Sequence, residues 1–297
     1  RENINHSTSC LGSSQQSYES IPSSSTCQSC RLPPRESNQF YEEQFQRLHD
    51  HIQSFPRCHH VILVHGIRTF GKWVYGVRRE LDFNGYEVSI EGYKRFSALK
   101  LLAYCLFDTG KRERDSLKAT IQRIKENSPN AKLSVIAHSH GTFLVSKLLE
   151  ESEIELDNLI LCGSIVKRDF PWSAIFESKS VARVLNDAGC NDIWAGIAQH
   201  WIRGAGGSGI LGFESEFHSM RTIFTRNGSH SSSIKDLSHQ RRLWLPFLEN
   251  GEYATLKLDD KYYTASPART TASVVSNLLL PKYFATILVA IIIMYFW

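Results

Sequence analysis

The sequence has no large excess of charge of either sign, because 34 lysines and arginines stand against 30 aspartates and glutamates. A net charge of +4 is too small to favour a nucleic-acid-binding protein. Cysteine is sparse and odd in number, with seven in 297 residues, which excludes a small disulfide-stapled scaffold. Internal repeats, heptads and collagen-like periods are also absent from the sequence. With 42% hydrophobic residues, the chain is predicted to be globular with a real core.

The first 39 residues contain eleven serines and almost no large apolar residues. Such a segment cannot bury enough apolar surface to offset the entropy of ordering it, so we expect residues 1–39 to form a disordered tail. Cys27 and Cys30 have the CxxC spacing of a metal or redox site, which is the alternative interpretation. No second pair of ligands with suitable spacing follows them, and no signal peptide is visible in this segment.

The other end carries an uncharged apolar run, YFATILVAIIIMYFW, over residues 283–297. A membrane-spanning helix needs about 20 apolar residues. The run alone is shorter than this, so a full span would include the leucines at 278–280 or continue past Trp297 in the natural chain. We therefore predict a transmembrane segment over 278–297. Lys282 and the aromatic residues suit the headgroup region, whereas a buried core helix is disfavoured because every face of the run is apolar. Residues 259–277 are predicted to be a linker.

Residues 40–258 alternate between strand and helix patterns and are predicted to form one α/β domain. Continuous apolar runs are typical of buried parallel strands. Strands are predicted at residues 60–64, 86–90, 133–137, 158–162, 181–185 and 221–225. Helices are predicted between them, and a further amphipathic helix is predicted at 41–55. This alternation implies right-handed crossovers and a mostly parallel central sheet flanked by helices.

The segment 137–141 (AHSHG) follows one of these strands directly and precedes a predicted helix. In a strand-to-helix nucleophile elbow, small residues two places before and after a serine allow the sharp turn that exposes its hydroxyl. Ala137 and Gly141 fill those places, although the usual motif has glycine at the first. The spacing indicates that Ser139 is a nucleophile. A serine that only caps the following helix is the alternative.

These features resemble the α/β-hydrolase superfamily over about residues 58–250. The resemblance is carried by HGIRT at 65–69, HSHGT at 138–142 and the pair Gly163-Ser164, which look like an uncharacterised bacterial branch of serine hydrolases. It implies an α/β-hydrolase fold and Ser139 as nucleophile. The chemistry it implies needs no metal and no cofactor.

The resemblance also implies an oxyanion hole. The backbone N–H groups of Ile67 and His140 are expected to form it, since Ile67 follows the first strand closely and His140 follows the nucleophile. Gly66 is expected to let the chain approach the substrate. His65 is interpreted as a structural residue of the motif rather than as a base.

The superfamily's chain order places the acid after the nucleophile, and the histidine after the acid. Asp192 is the predicted acid because it follows the strand 181–185 through a turn, where the superfamily's acid usually lies. Asp187 and Asp169 are alternatives by position. Each of these aspartates also has a simpler interpretation, in which a turn aspartate bonds its own backbone.

His230 is the predicted base, since it follows the last predicted strand and heads a serine-rich loop. A neutral imidazole there can take the proton of Ser139, while Asp192 fixes its tautomer. The remaining histidines are expected to have other roles. His218 is expected at the wrong edge of the sheet, and His200 and His239 are expected on the solvent faces of helices. His138 and His140 are expected to point away from the hydroxyl.

Five glycines lie between the predicted acid and base, within the nine residues 204–212. The segment lacks the Lys-Ser/Thr pair of a phosphate-binding loop. We expect it to form a mobile flap over the mouth of the site, with a plain flexible loop as the alternative.

Together these residues predict a membrane-anchored serine hydrolase that cleaves an ester, with a lipid or other acyl ester as substrate. The alternative is a catalytically inactive hydrolase-fold module that acts as a membrane-tethered binding or regulatory domain. A complete serine, aspartate and histidine set in the right order argues against that alternative. The lack of a visible signal and of a cysteine pairing framework favours a cytoplasmic catalytic domain, with no nucleic-acid partner.

Overall fold

The computed structural model describes residues 59–66, 72–91, 110–151, 154–215, 217–251 and 263–264. The predicted tail 1–39, the predicted helix at 41–55 and the predicted transmembrane segment 278–297 lie outside these ranges. Among the helices within them, none combines the length and the apolar character needed to cross a membrane.

Within the described ranges, seven strands form one sheet. They are β1 (His59–Val64), β2 (Glu87–Glu91), β3 (Lys132–His138), β4 (Leu156–Cys162), β5 (Val181–Gly189), β6 (Met220–Thr225) and β7 (Tyr263–Thr264). Their order across the sheet is β2-β1-β3-β4-β5-β6-β7, and all neighbours pair in parallel except β7, which is antiparallel to β6. The prediction of an α/β protein with a mostly parallel sheet is confirmed, and β7 falls within the segment 259–277 that was predicted to be a linker.

Helices connect the parallel strands and cover both faces of the sheet. They are α1 (Lys72–Phe83), α2 (Lys111–Asn127), α3 (His140–Glu151), α4 (Trp172–Glu177), α5 (Ile193–Trp201), α6 (Ser208–Leu211), α7 (Ser232–Lys235), α8 (Leu237–His239) and α9 (Leu245–Asn250). A π-helical turn, Gln240–Trp244, joins α8 to α9.

The core lies on both faces of the sheet, which is why the central strands are apolar throughout. Residues 61–64 of β1 are all buried, as expected for a strand covered on both sides. One face packs against α2 and α3 through Leu117 and Leu148, and the other packs against α1 and α9 through Val77 and Phe247. Because β1 to β6 run in one direction, their carboxyl ends meet at one edge of the sheet, where open α/β sheets place their sites.

Candidate active site

Ser139 lies at the sharp turn between β3 and α3, at the carboxyl edge of the sheet. Its backbone φ is +56°, a left-handed conformation that is uncommon for a residue with a side chain. Its N–H donates to the carbonyl of Cys162 over 3.0 Å, which ties the turn to β4. Ser139 is only half-buried, so the strained turn holds the hydroxyl at the edge of the sheet rather than in the core.

Small residues permit close approaches around this turn. A Cβ on Gly141 would lie 2.5 Å from the carbonyl oxygen of Val64, so the start of α3 packs directly on the end of β1. A Cβ on Gly66 would lie 2.9 Å from the Cβ of Ser139 and 3.2 Å from its Oγ. Ala137 is completely buried between β1 and β4, and the sheet accommodates its methyl group where the usual motif has glycine.

His230 lies in the loop between β6 and α7. Its Nε2 is 2.8 Å from the Oγ of Ser139, and its side chain is 16% exposed. Gly163, at φ +55°, lies against this residue: a Cβ there would be 3.0 Å from Nδ1 of His230 and 2.8 Å from its carbonyl oxygen. The imidazole therefore occupies space that a side chain at position 163 would fill.

Asp192 follows β5 and caps α5, where its Oδ1 accepts the N–H of Ala195 over 2.9 Å. Both of its carboxylate oxygens lie 2.9 Å from Nδ1 of His230, and the residue has no exposed surface. A carboxylate only accepts, so Nδ1 carries the proton and Nε2 can accept one from the hydroxyl of Ser139. The structure thus brings the predicted acid, base and nucleophile together in one continuous hydrogen-bonded chain.

The loops that carry the acid and the base are bound to each other by their main chains. Asn191 donates its N–H to the carbonyl of Gly228 over 2.9 Å, and Cys190 donates to the carbonyl of Thr225 over 3.0 Å. These bonds continue the parallel pairing of β5 and β6 beyond its last registered pair, Gly189 with Thr225. The acid and the base are therefore positioned by adjacent strand ends.

Comparison with known proteins agrees with this architecture. Residues 108–180 match the family described as "Alpha/beta hydrolase of unknown function (DUF900)". This chain has an α/β-hydrolase fold. The matched segment runs from α2 through β3, the Ser139 turn, α3 and β4 to the residue before β5. A comparison with curated proteins finds no match.

Solved structures with a similar fold come from several organisms. One is an α/β serine hydrolase without a lid from Xanthomonas campestris, 19% identical, with 64% of this chain and 84% of that chain covered and a TM-score of 0.42. Another is a putative α/β hydrolase of unknown function from Agrobacterium tumefaciens, 16% identical, with coverage of 67% and 89% and a TM-score of 0.45. A third is an esterase from Pyrococcus furiosus, 15% identical, with coverage of 60% and 77% and a TM-score of 0.37.

Within the hydrolase fold, the alternative acids lie away from Ser139 or have other partners. Asp169 is exposed on the loop after β4. Asp187 in β5 is buried, and its Oδ2 accepts from Nε2 of His239 over 2.6 Å and from Nε1 of Trp244 over 2.8 Å. The other ring nitrogen of His239 lies 3.0 Å from the hydroxyl of Tyr263 in β7. Asp187 therefore belongs to a second, buried aspartate–histidine pair, which the sequence interpretation missed.

The expectation that His239 faces solvent was wrong, since the residue is only 3% exposed. The physical reason is the π-helical turn that follows it. A π-helix closes its hydrogen bonds between residues five apart, so His239 and Trp244 come to the same side and reach one carboxylate oxygen. His218, by contrast, is exposed and lies two residues before β6, at the opposite edge of the sheet as expected.

The two histidines that flank Ser139 are buried. Nε2 of His138 points to the carbonyl oxygen of His230, 2.9 Å away, and the ring of His140 packs near Phe143 with centroids 5.9 Å apart. Burial lowers the pKa of each of the two to about 3, so both are neutral near pH 7. Neither is suited to act as the base, because an imidazole with so low a pKa is a weak proton acceptor.

The predicted oxyanion donors are only partly described. His140 is the first residue of α3, and the first N–H groups of a helix point out of its end with the positive end of the helix dipole. Ile67 lies outside the described residues. Among the described residues, no three His, Cys, Asp or Glu side chains are grouped so as to hold a metal ion.

The expectation of a mobile flap at 204–212 was wrong. Gly206 donates its N–H to the carbonyl of Ile165 and Gly209 donates to that of Ser164, each over 2.8 Å. A Cβ on Gly209 would lie 2.5 Å from the main chain of Ser164. The glycines therefore let this segment pack on the loop after β4, and most of its residues are buried.

Proposed function

We propose that this chain is a serine hydrolase that cleaves a carboxylic ester through an acyl-enzyme on Ser139. The observation that carries the proposal is the hydrogen-bonded chain from Asp192 through His230 to Ser139. Nε2 of His230 takes the hydroxyl proton as Oγ bonds to the ester carbonyl carbon, and then gives that proton to the departing alcohol. Water, activated by the same imidazole, then hydrolyses the acyl-enzyme and releases the acid.

Charge develops on the carbonyl oxygen in each of these steps. In the proposed mechanism this oxyanion is bound by the backbone N–H groups of His140 and Ile67. The position of His140 at the start of α3 supports this assignment, because helix N-termini favour negative charge. Two preorganised donors of this kind contribute about 3 kcal/mol each to transition-state stabilisation.

We further propose that the ester has a large apolar acyl group. Ile193 and Trp194, the two residues after Asp192, are 44% and 52% exposed although both are large and apolar. They begin the helix α5 that Asp192 caps, and the proposal assigns them to contact with the acyl chain, which would remove them from water.

Chain-length preference tests this substrate class. Trp194→Ser is expected to raise KM about tenfold for a p-nitrophenyl ester of a long fatty acid and to leave KM for the acetate ester unchanged. Phe83→Ser is the matched control, because Phe83 is 83% exposed at the far end of α1. Equal effects of the two substitutions, or none from Trp194→Ser, would argue against the apolar acyl group.

We also propose that the predicted membrane segment 278–297 tethers the enzyme to a membrane. In this proposal the catalytic domain lies in the cytoplasm, and the substrate lies in or near the membrane, where tethering raises its effective concentration. The test compares membrane fractions of cells that express the full chain with those that express a chain ending at Asn277. The full chain is expected to sediment with membranes and the shorter chain to remain in the supernatant. Sedimentation of both would contradict tethering by this segment.

Labelling by a fluorophosphonate probe tests the hydrolase itself. The full chain is expected to label, Ser139→Ala to lose all labelling, and His230→Ala and Asp192→Asn to label at least about 1,000-fold more slowly. Circular dichroism of each variant serves as the folding control. A folded wild-type protein that does not label would contradict the proposal and would favour the inactive binding module.

A further inference from the structure

His138 is the last residue of β3 and directly precedes the nucleophile, yet its side chain turns toward the base. It is 1% exposed, and its Nε2 lies 2.9 Å from the main-chain carbonyl oxygen of His230. The centroids of the two imidazole rings are 5.0 Å apart. The strand that carries Ser139 is therefore bonded directly to the main chain of His230.

This hydrogen bond fixes the tautomer of the His138 imidazole. A carbonyl oxygen only accepts, so Nε2 carries the proton and Nδ1 does not. In the part of the chain that the structure describes, Nδ1 has no hydrogen-bond partner, and the ring stands edge-on to Trp73 at 5.8 Å. Burial lowers the pKa of His138 to about 3, and the neighbouring His230 acts in the same direction. The Nε2–H donor is therefore present whether or not His230 is protonated.

Gly163 lies close to the same carbonyl group. A Cβ at this position would lie 2.8 Å from the carbonyl oxygen of His230. The oxygen is therefore near both the bare Cα of Gly163 and the N–H of His138, which limits its movement. Because the imidazole belongs to the same residue, holding this carbonyl also holds the ring near Ser139.

We propose that His138 is a positioning residue for His230: its neutral imidazole holds the main chain of the base so that Nε2 of His230 stays within reach of Ser139. The inference rests on the proposed function, in which His230 is the base. Without the donor, the partly buried carbonyl of His230 loses this partner and the loop relaxes to find another. A misplacement of about 1 Å between base and nucleophile costs about 100-fold in rate.

Two amide variants test the proposal, because their amide nitrogens replace different ring atoms. The amide of His138→Gln can occupy the position of Nε2 and donate to the carbonyl, whereas that of His138→Asn reaches only the position of Nδ1. In the full chain we expect Gln to keep kcat within about threefold and Asn to lower it about 10- to 100-fold, with KM unchanged in both. His60→Gln is the control for removing a buried histidine, since His60 is 5% exposed near the start of β1, and its kcat is expected to be unchanged.

Equal kcat values for His138→Gln and His138→Asn would overturn the proposal, whether both are active or both are impaired. A measurement that does not need turnover distinguishes failure of this proposal from failure of the proposed function. In ¹⁵N-histidine NMR spectra, the Nδ1–H resonance of His230, which is shared with Asp192, is expected to persist in the Gln variant and to broaden in the Asn variant. An unchanged resonance in the Asn variant would refute the proposal that His138 positions His230. A wild-type chain that shows this resonance but is not labelled by the fluorophosphonate probe would refute only the proposed hydrolase function.

Discussion

Gly163→Ala is expected to separate the base from the nucleophile. The new methyl group would lie 3.0 Å from Nδ1 of His230, where ordinary contacts begin at 3.4 Å, so the ring must retreat by about 0.4 Å. The bond of 2.8 Å from His230 to Ser139 would lengthen to about 3.2 Å, the upper limit of the normal range, or lose its alignment. We expect kcat and the rate of fluorophosphonate labelling to fall about 10- to 100-fold.

The same substitution also has a conformational cost, which needs its own control. Alanine at a left-handed φ is less stable than glycine by about 1–2 kcal/mol. Gly85→Ala carries this cost alone, because Gly85 has φ +84° and no atom within 4 Å of its Cβ position. Urea denaturation is expected to show a loss of about 1 kcal/mol for Gly85→Ala and about 2–3 kcal/mol for Gly163→Ala. A folded Gly163→Ala protein with the wild-type labelling rate would refute the reasoning.

Three further substitutions test other contacts. Gly66→Ala would place a methyl group 2.9 Å from the Cβ of Ser139. We expect the folded variant to be labelled at least about tenfold more slowly than the wild type. An unchanged labelling rate would show that the backbone of the turn can move to accommodate the methyl group. Asp192→Asn keeps a helix cap but offers the base an amide in place of a carboxylate. We expect kcat to fall about 10³- to 10⁴-fold and the free energy of unfolding to stay within about 1 kcal/mol of the wild-type value. A large loss of both kcat and stability would indicate misfolding instead. For His239, burial lowers the pKa, but the charge and hydrogen bond of Asp187 outweigh it, so the pKa is raised above 6.5 in the folded state. The stabilisation is therefore complete below about pH 6.5 and is lost as pH rises through the folded-state pKa. The difference in Tm between wild type and His239→Gln should accordingly shrink from pH 6 to pH 9, and a constant difference would contradict it.

Local patterns were sufficient to predict the six parallel strands, although not β7. Buried parallel strands are apolar throughout, so 61–64 and their counterparts are recognisable without any partner. The elbow is local as well, since the small residues and Ser139 lie within five positions. Asp192 and His230 were predicted from the chain order that the resemblance to the superfamily implies, and the strands that they follow are neighbours in the sheet.

Features that depend on distant contacts were not predictable in this way. The pair of Asp187 and His239 joins residues 52 positions apart, and an α-helical period assigns His239 to the wrong face because a π-helical turn follows it. Glycine content gave a wrong expectation at 204–212 for a different reason. The same composition allows either flexibility or unusually close packing, and only the opposing main chain decides between them.

The main-chain bonds between the acid and base loops have a consequence for how this site would open. Because Asn191 and Cys190 are bonded to the loop of His230, the carboxylate and imidazole should travel together in any local fluctuation. Ser139 is carried by β3, which is separated from β5 by a whole strand. Two main-chain bonds join the acid and base segments, whereas a single side-chain bond, from His138, joins the strand of Ser139 to the base. Hydrogen exchange should therefore report similar protection for the amides of Cys190 and Asn191, and lower coupling of the Ser139 amide to both of them.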